Sequence, residues 1–465
     1  MNMKLNKILL TLAAAGLILT GCSKFGDTNV SPNGTETPST GALLTNVLSQ
    51  LGGFASQTRG GLYAQQFSET QYTETSLYSL PKLDFDGTYA GSLYDLQNII
   101  KVNTDEATKG GASKFGSNAN QIAVARILKA YEFWTITDLW GNVPYFDALK
   151  GSESLTPAYD KQEDIYKDLV KELTEAVAQF DAGVGPTGDI VYAGDVAKWK
   201  KLANSLRMLI ALRTSKVYPA PGGWAATEFA AAFNDPNGYI SANAENVVLS
   251  YPGGAFKNPW FALYDGRNDF AESDVMVQKL AGDPRQAAFG SSTTGFPYGL
   301  TRDDAVDFGN ANSNYAKVLA ASLRAANSKL VVVAASQVAL AIAEAAQLGW
   351  ITADALTWYK KGITLSWEQW GVSGDISAYT TVDLGKINLQ QYFAYYPDGV
   401  QAWSNWRRTN VPVLAVPADA SNGGRGIPRR YVYGANEYSL NKANVATNAA
   451  LYNNDSEAAR LWWDQ

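Results

Sequence analysis

An apolar stripe of helical periodicity is the feature that most constrains the fold of this chain. Between residues 160 and 180, apolar side chains recur at intervals of four, four, four and three positions, at Ile165, Leu169, Leu173, Val177 and Phe180. Residues at this spacing lie on one face of an α-helix, and here Lys, Glu and Asp fill the other face. The segment is therefore predicted to be an amphipathic helix that buries one side against a neighbour.

The same kind of pattern occurs along much of the chain. The helices it predicts cover residues 42–51, 121–139, 160–180, 195–213, 330–348 and 352–370. Asp195 is suited to cap the N-terminus of its helix. The last two segments meet at Gly349, with small residues on the first and aromatic residues on the second, which is typical of tetratricopeptide-like hairpins. Short strands are expected around residues 247–250 and 431–433, and loops are predicted at 218–258, 282–314, 371–385 and 418–425.

The N-terminus has the features of an exported lipoprotein. Lys4 and Lys7 precede an uncharged apolar run that ends in Leu19-Thr20-Gly21-Cys22, which contains the only cysteine of the chain. A basic start, a short apolar stretch and small residues at the cut form a secretory signal. We predict a signal peptide at 1–21, a lipid on Cys22, and a tether at 22–40 that anchors a body at 41–465 to a membrane. The alternative is an ordinary cleaved signal with an unmodified cysteine.

Composition restricts the chemistry open to this protein. The sequence has no histidine, which excludes Ser-His-Asp catalysis and histidine-ligated zinc or iron. It has no run dense in Lys and Arg, which disfavours a nucleic-acid partner. The 13 Trp, 25 Tyr and 17 Phe supply flat faces that either build cores or stack on sugar rings. The balance favours a binding protein.

Several short blocks follow one another in an order that resembles a known family. They are residues 25–33, Asp138-Leu139-Trp140-Gly141-Asn142-Val143-Pro144-Tyr145, residues 155–160, Glu163-Asp164-Ile165-Tyr166, Ala343-Glu344-Ala345 ahead of Gly349-Trp350, Arg407-Arg408-Thr409, Ile427-Pro428-Arg429-Arg430 and Trp462-Trp463-Asp464. Behind the lipoprotein signal, this series resembles the SusD/RagB family of outer-membrane nutrient-binding lipoproteins, and most closely its divergent second, SusD-like branch. The resemblance covers nearly the whole chain.

The resemblance implies both a fold and a function. The implied fold is mainly α, with tetratricopeptide-like helical hairpins in a right-handed superhelical scaffold, long inserted loops and a few short strands. The implied protein is not an enzyme and needs no cofactor. It is lipid-anchored on the outer membrane, facing the cell exterior. There it captures an oligosaccharide, or in some members a peptide, as the lid of a SusC-like TonB-dependent barrel.

Two loop segments are the candidate ligand site. Tyr72 and Tyr78 lie in a polar loop without a helical stripe, where exposed rings would form a platform for a sugar. A second segment offers stacking rings followed by planar donors and acceptors for hydroxyl pairs, at Trp260, Phe261, Tyr264, Arg267, Asn268 and Asp269. The alternative is that the rings belong to the core and the polar residues form a turn.

Charged residues leave three further hypotheses open. A surface glycoside hydrolase would use a carboxylate pair, for which Asp269 with Glu272 or Asp274 is conceivable. Three aspartates suggest a calcium site or, alternatively, a solvated acidic turn, namely Asp303, Asp304 and Asp307. Four arginines would recognise anionic groups or form buried ion pairs, namely Arg407, Arg408, Arg429 and Arg430.

Overall fold

Helices dominate the regular structure in the computed structural model, which describes residues 38–79 and 82–465. The α-helices are α1 (Thr40–Ala55), α2 (Thr58–Tyr63), α3 (Asp86–Thr88), α4 (Tyr94–Thr104), α5 (Lys109–Ala112), α6 (Asn118–Trp140), α7 (Gln162–Gln179), α8 (Val196–Arg213), α9 (Trp224–Phe233), α10 (Pro259–Ala262), α11 (Asp274–Lys279), α12 (Gln286–Phe289), α13 (Arg302–Ala311), α14 (Ala335–Gln347), α15 (Ala355–Gln369), α16 (Leu384–Ala394), α17 (Gly399–Thr409), α18 (Ala435–Leu440) and α19 (Lys442–Leu451).

Shorter elements complete the description. A π-helical turn occupies Tyr89–Leu93, and 3-10 turns occupy Ser113–Phe115, Gly151–Glu153, Asn243–Glu245, Ile376–Ala378 and Trp462–Asp464. The strands are β1 (Phe67–Glu69), β2 (Val247–Ser250), β3 (Phe270–Glu272) and β4 (Lys329–Val333). They form two antiparallel pairs, β1 with β3 and β2 with β4.

Neighbouring helices pack in pairs, as the resemblance implied. Helix α6 packs on α7, α8 on α9, α14 on α15, and α16 on α17, while α14 also packs on α8 and joins the first pairs to the later ones. The stripe of α7 is buried along its length, with Ile165, Leu169 and Leu173 all inaccessible to solvent. This mainly helical, tetratricopeptide-like frame confirms the predicted fold class.

Helix ends follow from local hydrogen bonding. The Asp195 side chain accepts from the backbone N–H groups of Ala197 and Lys198, which confirms it as the cap of α8. Asp354 and Asp398 cap α15 and α17 in the same way. Gly349 adopts a φ of +71° between α14 and α15, a left-handed conformation that favours glycine.

Two predicted elements were wrong, and the predicted loops at 218–258 and 282–314 contain the helices α9 and α13. The segment 330–348 was predicted to be one helix, but its first residues form β4, because the run Val331-Val332-Val333 suits a strand that pairs with β2. The strand expected at 431–433 is reduced to a single bridge between Leu83 and Tyr433. The strand expected at Val247–Ser250 is confirmed.

Residues 40–465 form one compact unit. Helix α1 begins at Thr40, the last residue of the expected tether. The predicted signal peptide and Cys22 lie outside the described residues. Within the part of the chain that the structure describes, no helix is both long enough and apolar enough to cross a membrane.

Candidate functional site

The pairing of β1 with β3 brings the two predicted loop segments together. Glu69 stands opposite Phe270 in the register, and the backbone N–H of Thr70 donates to the Asp269 carbonyl at 2.9 Å. The loop that follows β1 therefore runs beside the residues that precede β3. Because the two segments are some 190 positions apart in the sequence, this juxtaposition is a product of the tertiary fold.

A cleft of about 410 Å³ opens between these segments. We call this cavity the loop cleft. Its lining residues are Thr58, Glu69, Tyr72, Ala262, Leu263, Arg267, Asp269 and Phe270. Three of the candidate residues, Tyr72, Arg267 and Asp269, are thus assembled in one place. The volume lies in the range of small-molecule binding sites.

Tyr72 provides the aromatic surface of the loop cleft. Its side chain is 46% exposed, and the guanidinium carbon of Arg302 lies 5.4 Å from the ring centre. A cation at this distance is attracted to the face of the ring. The arrangement leaves an amphipathic ring available for stacking on an apolar sugar face.

Charged and amide groups lie beside this ring. Arg267, whose side chain is 60% exposed, forms an ion pair with Asp269, and the Gln71 amide also donates to Asp269. The Lys317 ammonium donates to Asn268 Oδ1 at 2.7 Å. The residues beside the Tyr72 ring thus include guanidinium, carboxylate and amide groups, which are donors and acceptors suited to hydroxyl groups.

Glu69 holds the Tyr72 loop against β1. One of its carboxylate oxygens accepts hydrogen bonds from the Ser76 backbone N–H at 2.8 Å and the Ser76 hydroxyl at 3.0 Å. Burial raises the pKa of Glu69, and the bonds from Ser76 oppose that rise. The carboxyl group therefore has a structural role in setting the path of the loop.

The other predicted rings lie elsewhere. Trp260 is 1% exposed and packs edge-on against Phe67 at 5.8 Å, and Tyr78 is fully buried beside Tyr63. Burial raises the pKa of Tyr78 to about 12. The stacking role expected for these two rings is corrected, because neither has a face open to the loop cleft.

Phe261 and Tyr264 are half-buried beside the loop cleft without lining it. The Lys257 ammonium lies 5.1 Å from the Phe261 ring centre. The Tyr264 hydroxyl donates to the Phe270 carbonyl at 3.0 Å and accepts from the Val318 N–H at 2.8 Å. Tyr264 thus supports β3 from behind. Whether either ring touches a ligand stays a prediction.

The carboxylates suggested for hydrolysis do not share the loop cleft. Of Asp269, Glu272 and Asp274, only Asp269 lines it. Glu272 is fully buried and accepts from the Gln286 amide at 2.9 Å, and burial raises the pKa of Glu272 to about 8. Asp274 accepts from the backbone N–H groups of Val275 and Tyr298. Glu272 and Asp274 therefore both accept hydrogen bonds from groups within the protein.

The three aspartates considered for calcium lie on α13. Asp303 and Asp304 occupy its first turn, and the Thr301 hydroxyl donates to Asp304 at 2.6 Å. Carboxylates in a first helical turn interact favourably with the helix dipole. Among the described residues, no group of three or more His, Cys, Asp or Glu side chains is placed to hold a metal ion.

The four arginines form a buried structural cluster, which we call the arginine core: Arg407, Arg408, Arg429 and Arg430. Arg408 pairs with Glu344 through two contacts of 2.5 and 2.8 Å. Arg429 and Arg430 pair with Asp464 and Asp455. Of the two hypotheses for these arginines, recognition of anionic groups and buried ion pairs, the structure shows the buried ion pairs.

Sequence reasoning missed two residues outside the lining that contact candidate residues, Arg302 at Tyr72 and Lys317 at Asn268. Arg302 lies next to the aspartates that suggested a calcium site, and Lys317 lies in a loop without a motif. No spacing in the sequence connects either residue with Tyr72 or Asn268. Only the fold places their cations there.

Comparison with solved structures places this architecture among SusD homologues. A chitin-binding protein is 27% identical and superposes with a TM-score of 0.78, covering 92% of this chain and 100% of its own. A chitin-binding SusD homologue from Flavobacterium johnsoniae is 23% identical, with a TM-score of 0.76 and coverage of 92% and 98%. A SusD homologue from Bacteroides uniformis is 24% identical, with a TM-score of 0.76 and coverage of 92% and 99%.

Family comparison agrees with the structural one. No curated protein matches the chain. Residues 32–434 match the SusD-like_2 family, described as starch-binding and associating with the outer membrane. Its members are binding proteins, so the glycosidase hypothesis is set aside. The chain therefore belongs to the SusD-like_2 family of outer-membrane-associated carbohydrate-binding proteins.

Proposed function

We propose that this protein binds an oligosaccharide in the loop cleft and acts as the lid of a SusC-like TonB-dependent transporter. The observation that carries the binding half is the exposed Tyr72 ring beside the Arg267–Asp269 pair in one cleft. The family description names starch, and the relative at 27% identity is a chitin-binding protein. Both are neutral glycans, for which stacking and hydroxyl hydrogen bonds are the expected contacts.

The anchored location is the second half of the proposal. A lipid on Cys22 would hold the body at the outer membrane, facing the cell exterior, where it meets large glycans before the barrel admits them. Mass spectrometry of the mature N-terminus tests the anchor: we expect a fatty-acylated cysteine, and a bare thiol would contradict it. A Cys22→Ser variant, released from the membrane fraction, is the matched control.

Ligand binding is tested by calorimetry with malto- and chito-oligosaccharides, and with peptides for the alternative ligand class. We expect saturable glycan binding that Tyr72→Ala weakens. Tyr94→Ala is the matched control, because Tyr94 is 43% exposed and lies outside the loop cleft. Unchanged binding by Tyr72→Ala would remove the loop cleft as the site. New reducing ends in the mixture would contradict a purely binding role.

The transporter partnership needs a separate test. Affinity purification of the full chain from detergent-solubilised outer membranes is expected to recover a large β-barrel protein in about equimolar amount. Recovery of the chain alone under mild detergent would contradict the lid role and leave glycan binding untouched.

A further inference from the structure

The half-buried ring of Tyr264 has two cations beside it. The Lys317 ammonium lies 5.6 Å from the ring centre, and the guanidinium carbon of Arg324 lies 4.4 Å from it. We call Lys317 and Arg324 the cation pair. The two charges act on each other, because burial and the charge of Arg324 both lower the pKa of Lys317. The fold therefore holds two like charges at one ring.

No carboxylate compensates the cation pair. Neither member forms an ion pair with any residue that the structure describes, whereas the acids just before β3 have cations of their own. Asp265 pairs with Lys257 at 2.9 Å, and Asp269 pairs with Arg267. Glu272 does not supply the missing charge at neutral pH, since burial raises its pKa to about 8. The whole chain has a net charge of −6, so this local positive excess is not a result of composition.

Most hydrogen-bond donors of the cation pair are unused. The Lys317 ammonium donates to Asn268 Oδ1 at 2.7 Å, and the Arg324 Nε–H donates to the Leu319 carbonyl at 3.1 Å. Both acceptors are neutral. An ammonium has three donors and a guanidinium five, so further N–H groups remain on two side chains that are only half-buried. Anionic oxygens are the acceptors that such groups bind most strongly.

The backbone between the two cations is fixed. The Val318 N–H donates to the Tyr264 hydroxyl and the Leu319 N–H to the Phe289 carbonyl, both at 2.8 Å. Leu319 has a φ of +61°, and a leucine in this left-handed region is strained. Such strain persists only where the surrounding structure imposes it, and it clusters at functional sites. The cation pair thus extends from a segment whose path the fold determines.

The cation pair borders the loop cleft. Asn268, which Lys317 bonds, lies between Arg267 and Asp269, and both of these line the loop cleft. The Tyr264 hydroxyl donates to the carbonyl of Phe270, another lining residue, at 3.0 Å. The positive charges therefore lie next to the proposed saccharide site and not on a separate face of the protein.

We propose that the cation pair is a subsite for an anionic group, a carboxylate or a sulfate, carried by the oligosaccharide that the loop cleft binds. The inference rests on the proposed function and deepens it, because it assigns the ligand to the acidic saccharides. Neutral oligosaccharides would bind through the loop cleft alone, and more weakly. The starch and chitin named for the family and for one relative are of this neutral kind.

Calorimetry on the full chain with two matched pairs of sugars tests the proposal. The first pair is tri-galacturonate and its methyl ester, which lacks the charge, and the second is maltotriose with and without a 6-O-sulfate. Lys317→Gln/Arg324→Gln removes the cation pair, and Lys317→Arg/Arg324→Lys keeps both charges. Lys257→Gln is the control, because Lys257 also lies beside a ring, that of Phe261, but has Asp265 as its partner.

We expect the wild-type chain to bind at least one anionic sugar about tenfold more tightly than its neutral partner, as charge-assisted hydrogen bonds require. Added salt should reduce this preference. The glutamine double variant should lose the preference and keep its affinity for the neutral sugars, which also shows that it is folded. The charge-keeping variant and Lys257→Gln should retain most of the preference.

Equal affinity of the wild-type chain for the charged and neutral members of both pairs would overturn the anionic subsite and leave the proposed function intact. The same holds if the glutamine variant keeps the preference, or if the charge-keeping variant binds neutral sugars normally but loses it. Tri-glutamate bound more tightly than either anionic sugar would overturn the saccharide assignment in favour of an acidic peptide. No binding of any sugar would overturn the proposed function as well.

Discussion

The loop cleft and the arginine core use the same residue types for opposite purposes. In the loop cleft, Arg267 is 60% exposed and Arg302 lies 5.4 Å from an exposed tyrosine ring. In the arginine core, the side chain of Arg408 is 4% exposed, and the guanidinium carbon of Arg407 lies 3.7 Å from the buried Trp403 ring. Both regions pair arginine with aromatic rings and carboxylates.

The difference lies in how completely each cation is satisfied by the protein. Arg408 bonds Glu344, Ser215, Asn405 and Gln391, which leaves it no capacity for a ligand. Arg267 has Asp269 as its ion-pair partner and otherwise faces solvent. An arginine beside a ring therefore indicates a ligand site only where its remaining N–H groups are free. The arginines in the sequence blocks that resemble the family are instead bonded within the protein.

Breaking the arginine core should have the largest effect on stability. Arg408→Met leaves Glu344 buried without its cation, and we expect the free energy of unfolding to fall by about 3–5 kcal/mol. Denaturant unfolding measures it. The Arg408→Met/Glu344→Met double variant is the control: it removes both charges and should recover much of the loss. A single variant as stable as the wild type would contradict the assignment of this pair as structural.

Trp260→Ala should also act on stability, although the sequence suggested it as a stacking residue. Removing a fully buried aromatic side chain costs about 3–5 kcal/mol, because packing is lost and a cavity remains. Thermal unfolding measures the change. Phe256, which is 37% exposed, supplies the control Phe256→Ala with a small effect. A Trp260→Ala variant as stable as the wild type would contradict the structural role of this ring and make Trp260 a candidate for ligand stacking again.

Buried carboxyl groups without a cation should make stability depend on pH. Glu132 accepts from the Ser92 hydroxyl at 2.6 Å, and burial raises the pKa of Glu132 to about 8. Between its ordinary value near 4.5 and about 8, the folded chain holds a proton that the unfolded chain has lost, so stability falls as pH rises.

Glu132→Gln should reduce this slope by up to about 1.4 kcal/mol per pH unit across that window, because the amide does not titrate. Unfolding midpoints at pH 5 and pH 8 measure it. Glu172→Gln, at a partly exposed carboxylate bonded to Arg126, is the control. A pH profile identical to the wild type would show that Glu132 is ionised in the folded protein.

Tyr72→Ala should separate binding from stability. We expect oligosaccharide affinity to fall about tenfold, equivalent to roughly 1.4 kcal/mol, as an aromatic contact is lost. Because the ring is largely exposed, the free energy of unfolding should change by less than about 0.5 kcal/mol. Calorimetry and denaturant unfolding on the same sample check both numbers. Loss of stability instead of affinity would mean that Tyr72 has a structural role, like the residues of the arginine core.

Arg302→Gln should have the smallest effect. The guanidinium contact with the Tyr72 ring contributes about 0.5–1 kcal/mol at an exposed site, which is two- to fivefold in affinity. Arg302→Lys keeps the charge and should lose less. Equal losses for both variants would mean that the charge over the ring is not what matters, which would weaken the comparison between the two regions.

Much of the frame could be predicted from local patterns. The stripe at 160–180 and the cap at Asp195 predict α7 and α8 because helical periodicity and capping act within a few residues. The run 330–348 misled, since Val331–Val333 form a strand only because β2 lies beside them. A strand needs a partner, and the partner is 80 positions away in the sequence.

The candidate site could be predicted only in part. Tyr72, Arg267 and Asp269 stand in polar loops, and the fold places them in one cleft. Trp260 and Tyr78 stand in equally polar surroundings and are buried. The neighbours that decide exposure, Phe67 and Tyr63, come from elements that no local pattern connects to these rings.

The sequence by itself determined the main amphipathic helices, the cap at Asp195 and the family, because these depend on residues close together in the chain or on short blocks in a fixed order. Tertiary structure alone decided which rings and which arginines face solvent. Exposure depends on contacts between distant segments, such as β1 with β3 and Glu344 with Arg408, and those contacts form only when the whole chain has folded.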